Sequence, residues 1–243
     1  MSNVYPPPPP PPAPPPARPS AVITTAGYDV LRPFTFMFDD PRWLPKVLIG
    51  GLFCLASMML VGVPFLLGYL ARLVRNVLAG EQNPLPEWDD LGEYFSEGLL
   101  LFVVCLAYLL PIIALSIMVA IPAAIMSSAH NEGLRNLGDG VFGCSWCLIS
   151  PLILAITFFL PAALLKAITT GRFAAAFEFK QIYAFVRNNI GSYLLAIVVY
   201  FVARMLATFG LILLCIGIFF TEFWGMTVSA YAFAQAWRLS QQR

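Results

Sequence analysis

From Lys46 to Leu78 the chain runs for 33 residues with only Ser57, Arg72, Arg75 and Asn76 interrupting apolar or small residues. A helix needs about 20 such residues to cross a bilayer, so this run is too long for one upright span. Near its middle, Gly62-Val63-Pro64 combines a residue that allows reversal with one that removes a helix hydrogen bond. The pattern predicts a tight helical hairpin, Lys46 to Val61 and Pro64 to Ala79; the alternative is one tilted span to Tyr69 continuing as a surface helix. Further apolar runs are Leu99 to Met126, interrupted by Pro111 and Pro122, and Val141 to Leu165, with Pro151 and Pro161. Between them the polar SSAHNEGLRNLGDG reads as a loop. Ile190 to Trp237 is long enough for two spans, with a reversal at Gly210 or Gly217. Gly217 is favoured, because LCIGIFF resembles LVGVPFL of the first hairpin. The expected fold is all-α, a polytopic transmembrane bundle of about six spans.

Charged residues make up 11% of the chain, against about 25% in soluble domains, which places it in a bilayer. The net charge of +1 and the absence of a basic stripe give no case for nucleic acid. The first 20 residues carry no apolar core of a signal peptide, so insertion through internal spans is expected. Five cysteines, an odd number and mostly inside apolar runs, make no disulfide framework.

The basic residues choose between five spans and six. With six, one side collects 12 of the 14 Lys and Arg residues, leaving Arg135 opposite and Arg204 inside the membrane. With five, eight basic residues fall on the far side, against the positive-inside bias. Six spans with both termini cytoplasmic are therefore expected.

Two connectors on that side read as interfacial amphipathic helices. In the first, Arg72 and Arg75 leave the membrane on one helix face, Gly80 ends the helix, and Asn83, Pro84 and Pro86 make an extended turn. Trp88, Leu91, Phe95 and Leu99 then recur at helical spacing. Six acidic residues (Glu81, Glu87, Asp89, Asp90, Glu93 and Glu97) disfavour anionic lipid. Arg72, Arg75, Trp88, Asp89 and Asp90 are the candidate binding residues there, the arginines pairing with the acidic segment or with a basic partner standing in for them. In the second connector, after Gly171, Ala175, Phe179, Ile182 and Val186 form a stripe, with Phe173, Phe177 and Phe185 on the polar side.

Residues 1–20 hold eleven of the 21 prolines and read as a disordered or polyproline tail, a spacer or a docking peptide for a cytoplasmic protein partner. Residues 21–45, mixing aromatics with charges, suit the membrane surface with Trp43 as anchor. The helical domain is expected over 46–238, with 239–243 as a tail.

GYLARLVRNVLAG and NPLPEWDDLGEYFSEGL, with FMFDDPRWLPKVLIGG upstream, carry a resemblance. Between Tyr28 and Trp237 the chain resembles DUF4013, a prokaryotic membrane-protein family of unknown function. The resemblance implies a multi-pass protein of the plasma (inner) membrane and nothing about mechanism.

Little in the chain points to chemistry. Cys144 and Cys147 have the spacing of a dithiol but begin an apolar run, where cysteine commonly acts as a small apolar residue. His130 is the only histidine, too few for a usual metal site. Arg204 and Glu222 are the clearest ionisable residues within spans, on antiparallel neighbours, with depths differing by roughly 9 Å or 12 Å depending on which glycine turns the chain. No nucleophile with a base and no carboxylate pair is visible, so neither an enzyme nor a cofactor is expected. The leading expectation is a non-enzymatic envelope or partner-binding protein. The alternative is a small-solute transporter or channel on a parallel repeat, Pro64 to Met126 and Val141 to about Gly210.

Overall fold

Apolar runs broken by Gly and Pro become helices of two very different lengths in the computed structural model, which describes residues 24–25, 27–212 and 217–242. The proline-rich tail lies outside the described residues. Strands β1 (Thr24–Thr25) and β2 (Tyr28–Asp29) pair antiparallel around Gly27, which has φ +84°. A short helix α1 (Arg32–Thr35) and a 3-10 turn Phe36–Asp39 follow. Instead of lying on the membrane surface throughout, this segment tucks inward. Tyr28, Phe36 and Met37 are fully buried, and the Tyr28 hydroxyl donates to the Ala232 carbonyl at 3.1 Å.

The first hairpin forms as α2 (Trp43–Ser57) and α3 (Gly62–Ala79). The reversal comes slightly earlier than Gly62-Val63-Pro64, through Met58–Val61, with Leu60 at φ +63°. Pro64 instead sits in the first turn of α3, where a missing N–H costs nothing. Gly62 is needed for closeness, since a Cβ there would lie 2.1 Å from the Phe53 carbonyl oxygen.

Helices α4 (Leu91–Ser127) and α5 (Glu132–Thr170) are far longer than the others, 37 and 39 residues, or roughly 55 to 60 Å at 1.5 Å per residue. Their four internal prolines do not interrupt them. The loop read into SSAHNEGLRNLGDG shrinks to Ser128–Asn131, because Asn131 accepts from the Leu134 N–H as an N-cap and Glu132 suits the first turn. Gly138 then lets α5 approach α4, a Cβ there falling 2.5 Å from the Ser127 nitrogen. The far halves of both helices are exposed: Leu110, Met118, Ile125, Leu137, Trp146 and Leu154 are each more than half accessible. Cys144 and Cys147 lie there as exposed free thiols, neither paired nor buried.

A 3-10 turn Phe173–Phe177, then α6 (Phe179–Asn188) and α7 (Ile190–Thr208), lead through a 3-10 turn Phe209–Ile212 to α8 (Gly217–Gln241). The α-helix gives way to a 3-10 turn at Phe209, just before Gly210, and α8 is described from Gly217; the stretch 213–216 between the two expected turn glycines lies outside the described residues. Gly210 is held by close packing, since its Cβ would meet the Thr221 hydroxyl at 2.0 Å. Helix α8 also runs into the segment expected to be a tail.

The fold is all-α in its spans. Helices α3, α4, α5 and the stretch Ile190–Leu211 are long and apolar enough to cross a membrane, and α2 is a shorter apolar helix. With α8 they occupy the six expected positions. The two halves of the expected repeat share left-handed capping glycines, Gly80 at φ +80° and Gly171 at φ +64°. They differ at their second glycine: Gly98 is pressed against α3, whereas Gly191 has open space around it.

Candidate functional site

The first connector is fastened from the aromatic residues outward. Trp88 stacks on Tyr69 at 4.2 Å and on Phe53 at 4.9 Å, and its indole N–H donates to the Lys46 carbonyl at 3.0 Å. The Tyr69 hydroxyl donates to the Pro86 carbonyl and Asn76 to that of Pro84. Trp88 is therefore not on an interfacial helix. It precedes α4, whose N-cap is Asp90, accepting from the Glu93 N–H at 3.0 Å. The stripe Leu91, Phe95 and Leu99 faces outward, and α4 buries Tyr94, Gly98 and Leu101 instead. Position 98 decides this: only a glycine face can meet α3 so closely.

The charges form pairs. Arg72 meets Glu93 at 3.2 Å and Arg75 meets Glu97 at 2.7 Å, while Asp89 and Asp90 are exposed. Each of these half-exposed pairs contributes a few tenths of a kcal/mol, about 1 kcal/mol at most. Lys46 is different. It is almost fully buried and bonds Asp40 at 2.5 Å, Glu87 at 2.9 Å and the Leu85 carbonyl at 2.9 Å. A polar cleft of about 490 Å³ lies over this cluster, between Arg42, Arg72, Glu81 and Asp89.

In the second connector Lys166 plays the matching part, bonding Glu178 at 2.6 Å with Arg172 further off at 3.6 Å. The stripe is only partly buried: Ala175, Ile182 and Val186 point in, Phe179 points out, and Phe185 packs on Trp237 and Tyr193.

Burial alone would raise the Asp40 carboxyl, but the hydrogen bond and charge of Lys46, with Arg42, hold it below its ordinary 3.8. The bond from Lys166 likewise holds Glu178 below its ordinary 4.5. Lowered folded values mean stability that is complete above the carboxylate range and lost as pH falls through it. Thermal unfolding in detergent should thus be flat between about pH 5 and 8 and fall steeply in acid. Asp40→Asn should lower the plateau and flatten the acid limb; an unchanged limb would remove Asp40 from the account.

Within the bundle, Arg204 on α7 and Glu222 on α8 are hydrogen-bonded partners. The expected depth gap does not exist. Gly225 packs against Ala203 and Ala207, and the Thr221 hydroxyl donates to the Ala207 carbonyl, so the turns that carry Arg204 and Glu222 lie side by side. Beside them a half-open cavity of about 470 Å³ lies between α3, α4, α5, α7 and α8. Leu67, Leu109, Ile153, Ile197, Met226 and Phe233 represent its walls, and Arg204 is the one charged residue among those lining it. No three His, Cys, Asp or Glu side chains converge to hold a metal among the described residues. Sequence reading found the ion pair but missed the cavity, whose walls are ordinary apolar residues, and missed Lys46, which looked like a positive-inside anchor.

A family described as protein of unknown function, DUF4013, matches the chain over residues 51–216, a narrower stretch than Tyr28 to Trp237 and one that takes in only the last glycine of FMFDDPRWLPKVLIGG. No curated protein and no solved structure is similar to the chain.

Proposed function

We propose, starting from the fact that this chain belongs to the DUF4013 family of proteins of unknown function, that it is a non-enzymatic integral membrane protein which binds a hydrocarbon chain drawn from the bilayer. The cavity among α3, α4, α5, α7 and α8 carries this reading: its size is that of a small-molecule site, and its walls are apolar at the depth of helices able to span a membrane. In lipid such a space fills with acyl chain in preference to water, because its walls offer few polar partners. The connector face supports a docking role less well, since its buried and half-buried cations are already paired within the chain. In this reading the connectors and both termini lie on the cytoplasmic side of a prokaryotic inner membrane, as the basic residues favour, and the proline-rich tail serves any protein partner.

Ala230→Trp, which fills the cavity, should reduce co-purifying lipid several-fold by native mass spectrometry, while Leu110→Trp on the outer face of α4 should not. Equal lipid on both variants would defeat the proposal. The Arg204–Glu222 pair favours a second reading, a small-solute transporter or channel, because ionisable residues inside spans commonly mark solute paths. That reading requires a solute to change the melting temperature of the native chain and not that of Ala230→Trp.

A further inference from the structure

We infer that the molecule held in this cavity is an amphiphile whose anionic head, a carboxylate or a phosphate, is received by Arg204. The inference rests on the cavity reading above and adds the class of ligand. Arg204 carries a permanent charge on a planar fork of five N–H donors. Among the described residues its one hydrogen-bond acceptor is Glu222. Its side chain is 42% exposed against 20% for Glu222, and Arg204, not Glu222, lines the cavity. Arg204 thus lines a space that is otherwise apolar and at membrane depth, with guanidinium donors that Glu222 does not take. Donors left bare there are costly, and a carboxylate or phosphate takes two at once.

Tyr200, one turn earlier on α7, lines the same space, and its hydroxyl has no protein partner among the described residues. It gives the head a further donor. Glu222 is a positioning residue: it holds the guanidinium to the α8 wall so that the free edge of the fork faces inward. The walls run from this end along α5 to Ile168 beside the second connector, so a chain anchored at Arg204 lies lengthwise in the groove.

The test uses the full chain purified in a neutral detergent, with hexadecanoate and hexadecanol as probes of equal chain length. The native protein should bind hexadecanoate about tenfold or more tighter than hexadecanol, the worth of one hydrogen bond to a charged group. The double variant Arg204→Gln/Glu222→Gln keeps a hydrogen-bonded neutral pair and should bind the two probes alike, with hexadecanol affinity unchanged. Arg204→Lys should keep part of the preference. Equal binding of acid and alcohol by the native chain, or an undiminished preference in the double variant, overturns the inference and leaves the cavity reading standing. Binding of neither probe defeats both. A hexadecyl phosphate arm separates the two head types: tighter binding than hexadecanoate assigns the site to phosphate.

Discussion

Gly98→Ala should nearly abolish folded protein. Its new methyl would stand 1.6 Å from the Pro64 carbonyl oxygen and 2.5 Å from the carbonyl carbon, both backbone atoms of α3. The reciprocal position is as tight, a Cβ on Gly68 falling 1.9 Å from the Tyr94 carbonyl oxygen. Two glycines thus let the backbones of α3 and α4 touch, the small-residue contact by which membrane helices associate without a hydrophobic driving force. No rotamer can relieve a clash with backbone, so the helices must separate. The cost should exceed the roughly 1 to 3 kcal/mol of ordinary overpacking. Gly191→Ala, at the corresponding place in the second half, meets nothing within 4 Å and should be tolerated. Monodisperse yield in detergent distinguishes them; similar yields would mean the crossing is looser than described.

Lys46→Met should be the next most damaging change, by about 3 to 5 kcal/mol, since it takes the one buried cation from the buried Asp40 carboxylate, Arg42 being exposed and paired with Glu87. The lost bond to the Leu85 carbonyl adds to this, because Leu85 is itself buried. Asp40→Leu in the same chain should recover most of the melting temperature, as an apolar pair of similar size replaces a buried ion pair at little cost. Two losses that add without recovery would show that the charges act separately. Arg72→Glu, at a half-exposed pair, should cost far less and should be restored by Glu93→Arg.

Much of the architecture could be read from residue order. The α2–α3 hairpin followed from a run too long for one span with Gly and Pro at its centre, and the end of α3 at Gly80 followed from where that run stops. The errors share a cause. Trp88, Leu91, Phe95 and Leu99 have helical spacing, but in a bilayer apolar residues face outward as readily as inward, so periodicity does not say which stripe is buried. Small residues do, and Gly98 had marked the true face. The polarity of the stretch after Met126 suggests an exposed loop, whereas Asn131 and Glu132 within it start a helix. Arg204 and Glu222 were legible as a pair since charge inside a span needs a partner. The cavity was not, because it is made by the mismatch between five apolar surfaces and no residue type announces it.

The unequal helix lengths have a consequence for the bilayer itself. At the connector end six helices stand side by side, among them α2 with 15 residues and α3 with 18. The α2–α3 hairpin ends in Met58, Met59, Leu60 and Val61, exposed and wholly apolar, with no polar group to rest in the far headgroups. Past the ends of the short helices, α4 and α5 continue as a pair to the polar turn at Ser128–Asn131. The body therefore narrows along its length: α3 and the Ile190–Leu211 stretch are long enough to cross beside α4 and α5, and only the paired ends of α4 and α5 project beyond them. In a hydrocarbon layer about 30 Å thick, helices of roughly 55 to 60 Å must either tilt or carry their paired ends clear of it.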